Sequence, residues 1–165
     1  MNQPTKTVIP MLLVATLAST AQAASVPKVV RDYVAAQGKA QKGDPIIRKV
    51  VRGDLDADGD SDLAVWFGIQ GAGGGGNLTS FSLTVFRNTS GRLTRLTNID
   101  AGSFGTATGR QLQLTSIRKG RILADFTTYA GGDGVCCPSV HGRTSFTLIG
   151  ARAVEHAIFA ITSRP

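Results

Sequence analysis

The chain has 165 residues, 42% of them hydrophobic and 18% charged, with 18 Lys and Arg against 11 Asp and Glu, a net +7. That balance excludes a disordered chain, which needs low hydrophobicity together with high net charge, and it excludes a charge-rich coiled coil. With 20 glycines, many threonines and valines, and Glu155 as its single glutamate, the chain is a poor helix former and a good strand former, so a small, mostly β domain is expected.

Met1 to Ala23 reads as a secretory signal peptide. Lys6 supplies a positive start, Val8 to Ala18 an apolar run, and Ala21-Gln22-Ala23 a small-x-small cleavage site. The apolar run is shorter than the roughly 20 residues a spanning helix needs. No later stretch is long and apolar enough to cross a membrane either. The expected product is a single domain over residues 24–165, exported to a periplasm or the outside medium.

Ser25 can cap a short helix with Pro27 in its first turn; Val30, Tyr33 and Val34 share a face, and Gly38 is the expected stop. Strands are expected at Ile46 to Arg52 and Leu63 to Ile69. After a glycine-rich connection, Leu78 to Arg87 follows, with Phe81, Leu83 and Val85 on one side. Further strands are Arg92 to Ile99, Gln111 to Arg118 with Leu112 and Leu114 inward, Arg121 to Tyr129, Arg143 to Ile149 and Val154 to Ile161. Lys119-Gly120 is a tight turn, and 130–142 an irregular loop. Strands at this spacing predict an antiparallel meander closing into a small sandwich or barrel.

The acidic segment between the first two strands is the most specific motif. Asp54, Asp56, Asp58 and Asp62 stand at positions 1, 3, 5 and 9 of a calcium loop, with Gly59 at position 6 and Asp60 offering its carbonyl at position 7. Ca²⁺ takes six to eight oxygens at about 2.3–2.6 Å, and alternate residues of a tight loop can turn carboxylates inward. Val65 stands where an EF-hand has its closing glutamate, so the expected site is a strand–loop–strand, not an EF-hand. The alternative is an acidic turn without metal.

Residues 54–65 resemble the calcium loop of FG-GAP and integrin-like repeats, which implies Ca²⁺ between two strands. More loosely, Asp54–Asp62, the glycine-rich lead into Phe81 and Cys136-Cys137-Pro138 together resemble exported bacterial proteins of the LppP/LprE kind, although this chain lacks their lipid-bearing cysteine. One aspartate loop on an exported β domain is also similar in architecture to immunity proteins that block cell-wall hydrolases.

Cys136 and Cys137 are the only cysteines. In an oxidising compartment they are expected to oxidise. A trans peptide holds adjacent Cα atoms about 3.8 Å apart, closer than the usual disulfide range of about 4.4–6.8 Å. A vicinal disulfide therefore needs irregular backbone, which Gly131–Gly134 and Pro138 supply. Free or partner-linked thiols, a soft-metal site with His141, and a Cys–His nucleophile using His141 or His156 are the alternatives.

Five of the 11 acids lie between Asp54 and Asp62, so the rest of the chain is strongly basic. Such a surface favours an acidic partner. No Lys/Arg run is interleaved with aromatics, so nucleic acid is not an expected partner. The expectation is a monomeric, non-catalytic, calcium-binding domain that binds another envelope protein, with inhibition of a cell-wall hydrolase as its sharpest form. Arg92, Arg110, Arg118, Arg121 and Arg143, at loops and strand ends, are the candidate contacts. A structural envelope role and a small thiol-dependent enzyme are the alternatives.

Overall fold

The Thr-, Val- and Ile-rich runs, each closed by a turn, form eight antiparallel strands after one helix. In the computed structural model, residues 26–74, 78–104, 110–134 and 136–162 are described; the expected leader and Ser25 lie outside them. Helix α1 is Lys28–Ala40. The strands are β1 Asp44–Gly53, β2 Asp62–Gln70, β3 Thr79–Thr89, β4 Arg92–Phe104, β5 Gln111–Arg118, β6 Arg121–Thr128, β7 Val140–Ile149 and β8 Arg152–Thr162. They make two four-stranded meanders, β1-β2-β3-β4 and β5-β6-β7-β8, with no barrel closure. Of the two expected forms, the sandwich is the one found.

Two hairpins turn where both central residues have positive φ: Ser90 and Gly91 (51° and 86°), and Lys119 and Gly120 (50° and 69°). That backbone twist matches the right-handed twist of paired strands.

The main core lies between the sheets. Ala64, Leu83, Val85 and Ala101 of the first sheet meet Leu112, Leu114, Ile122 and Phe146 of the second. The inward positions expected at Leu83, Val85, Leu112 and Leu114 are all buried there. A second core lies between α1 and the outer face of the first sheet, where Val30 and Val34 pack with Leu63, Val65, Phe67, Ile69 and Phe86. Each fully buried aliphatic of this kind contributes about 1.5–3 kcal/mol. Strand β2 is covered on both faces, which explains its unbroken apolar run. Tyr33 of α1 sits edge-on to Phe67 and Phe86, with ring centroids 6.2 and 5.7 Å away.

The helix departs from expectation at both ends. Pro27 occupies the N-cap position and gives no side-chain bond. Gly38 does not stop the helix, which runs two residues further. Gly38 is there for close packing: a Cβ on it would lie 2.7 Å from Cδ of Pro45. Lys42, with φ 51°, makes the left-handed turn instead.

The sheets approach closely where the acidic loop begins. A Cβ on Gly53 would stand 2.5 Å from Cγ2 of Ile117 in β5. The loop thus leaves β1 directly against the β5–β6 hairpin. Among the described residues no helix is long and apolar enough to cross a membrane.

Candidate metal site

The loop of residues 54–61 is held at both ends by burial. Leu55 is 7% exposed and belongs to the inter-sheet core. Asp62, the first residue of β2, is 1% exposed. Its Oδ2 accepts the backbone N–H of Leu55 at 2.9 Å and its Oδ1 that of Asn88 at 2.8 Å. A buried carboxylate is costly unless hydrogen-bonded, and these two amides satisfy it. They also tie the loop's start to the end of β3.

The loop then turns around Asp54. Its Oδ1 accepts the N–H of Ala57 at 2.7 Å and its Oδ2 that of Gly59 at 3.1 Å. Ala57 and Gly59 both adopt positive φ, 64° and 87°, a backbone that favours glycine. Asp58 Oδ1 accepts the N–H of Asp60 at 2.8 Å, and Asp60 Oδ2 accepts that of Ser90 at 2.6 Å. The result brings one oxygen each of Asp54, Asp56 and Asp58 within 4.8 Å of one another. Among the described residues this is the one group of three or more His, Cys, Asp or Glu side chains close enough to share an ion.

The five aspartates therefore divide. Asp54, Asp56 and Asp58 converge. The side chain of Asp60 points to the β3–β4 turn, consistent with a carbonyl role at position 7. Asp62 holds backbone amides. An ionised carboxylate has about four acceptor sites, so Asp54 keeps lone pairs after its two N–H bonds. Hard oxygens from three carboxylates suit a hard divalent cation, Ca²⁺ or Mg²⁺, better than a soft one. Arg87 of β3 adds a charge not expected from sequence: its Nε lies 3.0 Å from Asp56 Oδ2. It offsets part of the repulsion within the trio. Nothing in the local sequence marks Arg87, because the pairing depends on β3 lying beside β2.

Cys136 and Cys137 form a vicinal disulfide in the exposed β6–β7 loop. Asp133 organises that loop by accepting the N–H groups of Ser139 and Ala130, at 2.8 and 2.7 Å, and the Ser139 hydroxyl at 3.0 Å. These bonds, Ser139's amide first, hold its carboxyl below the usual range. The disulfide leaves no thiol for a nucleophile among the described residues. Cys136, Cys137 and His141 do not converge as a metal group.

The five candidate arginines are dispersed. Arg110 is paired with Glu155, with Nη1 2.6 Å from Oε1, and its guanidinium lies 5.2 Å from the Phe126 ring centroid. Arg110, against the cost of partial burial and with help from Thr144, holds Glu155 below its usual range. Arg92 opens edge strand β4, beside the turn that Asp60 holds. Arg118, Arg121 and Arg143 are exposed on the second sheet. Comparison with protein-family models, curated proteins and solved structures finds no match to this chain.

Proposed function

We propose that the chain is an exported, non-catalytic β domain, stabilised by Ca²⁺, that binds another protein of the cell envelope. The convergence of Asp54, Asp56 and Asp58 on a loop clamped at Leu55 and Asn88 carries the calcium part of this reading. Asp54, Asp56 and Asp58 would hold the ion, with the carbonyl of Asp60 as a further donor. The ion would neutralise the trio and keep the loop seated on the β5–β6 hairpin. Ca²⁺ is preferred over Mg²⁺ because an oxygen-rich, irregular loop suits its larger and less regular shell.

The partner part rests on charge. Outside residues 54–62 the chain after Ala23 carries 17 basic and 6 acidic residues. Such a surface steers towards acidic partners and speeds encounter. A cell-wall hydrolase with a carboxylate-bearing cleft is the sharpest candidate. Joining of both cysteines counts against the thiol-dependent enzyme. The test is affinity capture from periplasmic extract in calcium, with recovered proteins identified by mass spectrometry and any hydrolase assayed for inhibition. Capture of a wall hydrolase whose activity falls supports the reading. Absence of any captured protein leaves a structural envelope role as the better account.

A further inference from the structure

Sheet β1–β4 has α1 over its outer face, whereas none of the described elements covers the outer face of β5–β8. Strand alternation and pairing set what that open face presents. Gln113, Asp125 and Arg143 stand opposite one another across β5, β6 and β7, and Thr127 stands opposite His141. These five residues line a depression of about 320 Å³. A second depression, of about 440 Å³, shares Asp125 and Arg143 and is lined further by Thr115, Leu123 and Arg118. Together they form one groove, running from the β5–β6 hairpin towards the end of the sheet that bears the disulfide loop.

Charge in the groove is one-sided. Arg118 and Arg143 are spread along it, Arg121 lies at its hairpin end, and Asp125 is the acid among the described residues lining it. The Arg143–Asp125 pair is open to solvent: Nε and Oδ1 are 3.3 Å apart, with side chains 75% and 50% exposed. An exposed pair of this kind contributes little by itself, so an incoming carboxylate can compete for Arg143 at small cost. Arg110 is unsuited to that task, since Glu155 holds it. By alternation Ile149, 67% exposed, shares the same face at the β7–β8 turn.

We propose that this groove is the docking surface for an acidic protein segment, with Arg118 and Arg143 taking its carboxylates and Ile149, at the β7–β8 turn of the same face, meeting an apolar side chain further along the segment. The proposal rests on the partner-binding reading and names its surface. An exposed aliphatic on the same face as spaced arginines fits a polypeptide better than a nucleic acid, whose binding favours dense cations with stacking aromatics. It also fits better than an acidic glycan, for which Ile149 would be no asset.

The probe is a fluorescein-labelled hexaglutamate peptide, titrated at low salt by anisotropy, with backbone amide shifts followed by NMR. The proposal expects saturable binding and shifts concentrated at Gln113, Thr127 and Arg143. Joint Arg118→Ala and Arg143→Ala substitution should weaken binding by about tenfold or more. Joint Arg31→Ala and Arg48→Ala substitution, which removes the same charge from α1 and β1, should weaken it by less than about twofold. Equal weakening by both pairs, or shifts centred on the first sheet, would overturn the groove. Tighter binding of an oligogalacturonate than of the peptide would overturn the choice of a polypeptide. Affinity capture separates the two levels. If the unaltered protein captures a partner and the Arg118/Arg143 variant captures it equally, the groove is wrong and partner binding stands. If the unaltered protein captures none, partner binding falls, and the peptide titration still decides the groove.

Discussion

The carboxylate of Asp62 reaches across to β3 and accepts the backbone N–H of Asn88 at 2.8 Å, while its other oxygen takes that of Leu55 at 2.9 Å. One side chain, 1% exposed, thereby joins the acidic loop to the end of the neighbouring strand. Asp62 thus anchors the loop at its base, in addition to the bonds that Asp54 and Asp58 make within it.

Replacing Asp62 with Ala leaves two amides without their acceptor, one of them in a buried bond. Hydrogen bonds to charged groups contribute about 1.5–3 kcal/mol each, so Asp62→Ala, which loses two, should lower unfolding free energy by about 3–6 kcal/mol in urea titrations. Asp60→Ala, which loses one exposed bond to Ser90, should cost less than about 1.5 kcal/mol. Equal costs for the two would contradict the clamp.

The cysteines make a chemical prediction. Protein taken directly from the oxidising compartment should contain no titratable thiol. Its intact mass should be two hydrogens below that of the reduced chain, with both cysteines in the tryptic peptide spanning 122–143. Cys136→Ala should leave a lone exposed thiol and give dimers on a non-reducing gel. Finding two free thiols in freshly prepared protein would reject the vicinal bond.

Glu155 contributes a pH dependence. Arg110 holds its carboxyl low, so the folded state binds its proton less readily than the unfolded state does. That contribution is full above the ordinary Glu range, about pH 4.3, and is lost as pH falls through the lower folded value. Arg110→Ala should therefore narrow its stability gap to the unaltered protein as pH drops below that range. A gap that stays constant from neutral pH to acid would contradict the pairing.

Much of this architecture is legible in residue order because strands and turns are local. β5 begins and ends where alternation and Lys119-Gly120 place it, and Val65 lies in a strand where a helix would have made an EF-hand. The helix runs past Gly38 because glycine signals both a stop and a close contact, and at Gly38 the contact with Pro45 prevails. β4 runs five residues past the expected Ile99, to Phe104. In the acidic loop the spacing marks five aspartates alike. Only the position of β3, which brings Arg87, Asn88 and Ser90 alongside, separates the converging three from Asp60 and Asp62. Likewise Arg110 and Glu155 lie 45 positions apart, so no local pattern reveals that they pair.

Thermal unfolding in calcium and in chelator, for the unaltered chain and for Asp58→Ala, tests the central claim most directly. Extracellular calcium modules bind at about 10⁻⁴–10⁻³ M, and a tenfold excess over Kd adds about 1.4 kcal/mol. The account predicts a melting temperature about 3–6 °C higher in calcium than in chelator, and no such difference in Asp58→Ala. A midpoint indifferent to calcium in the unaltered chain, or a shift that survives in Asp58→Ala, would contradict it.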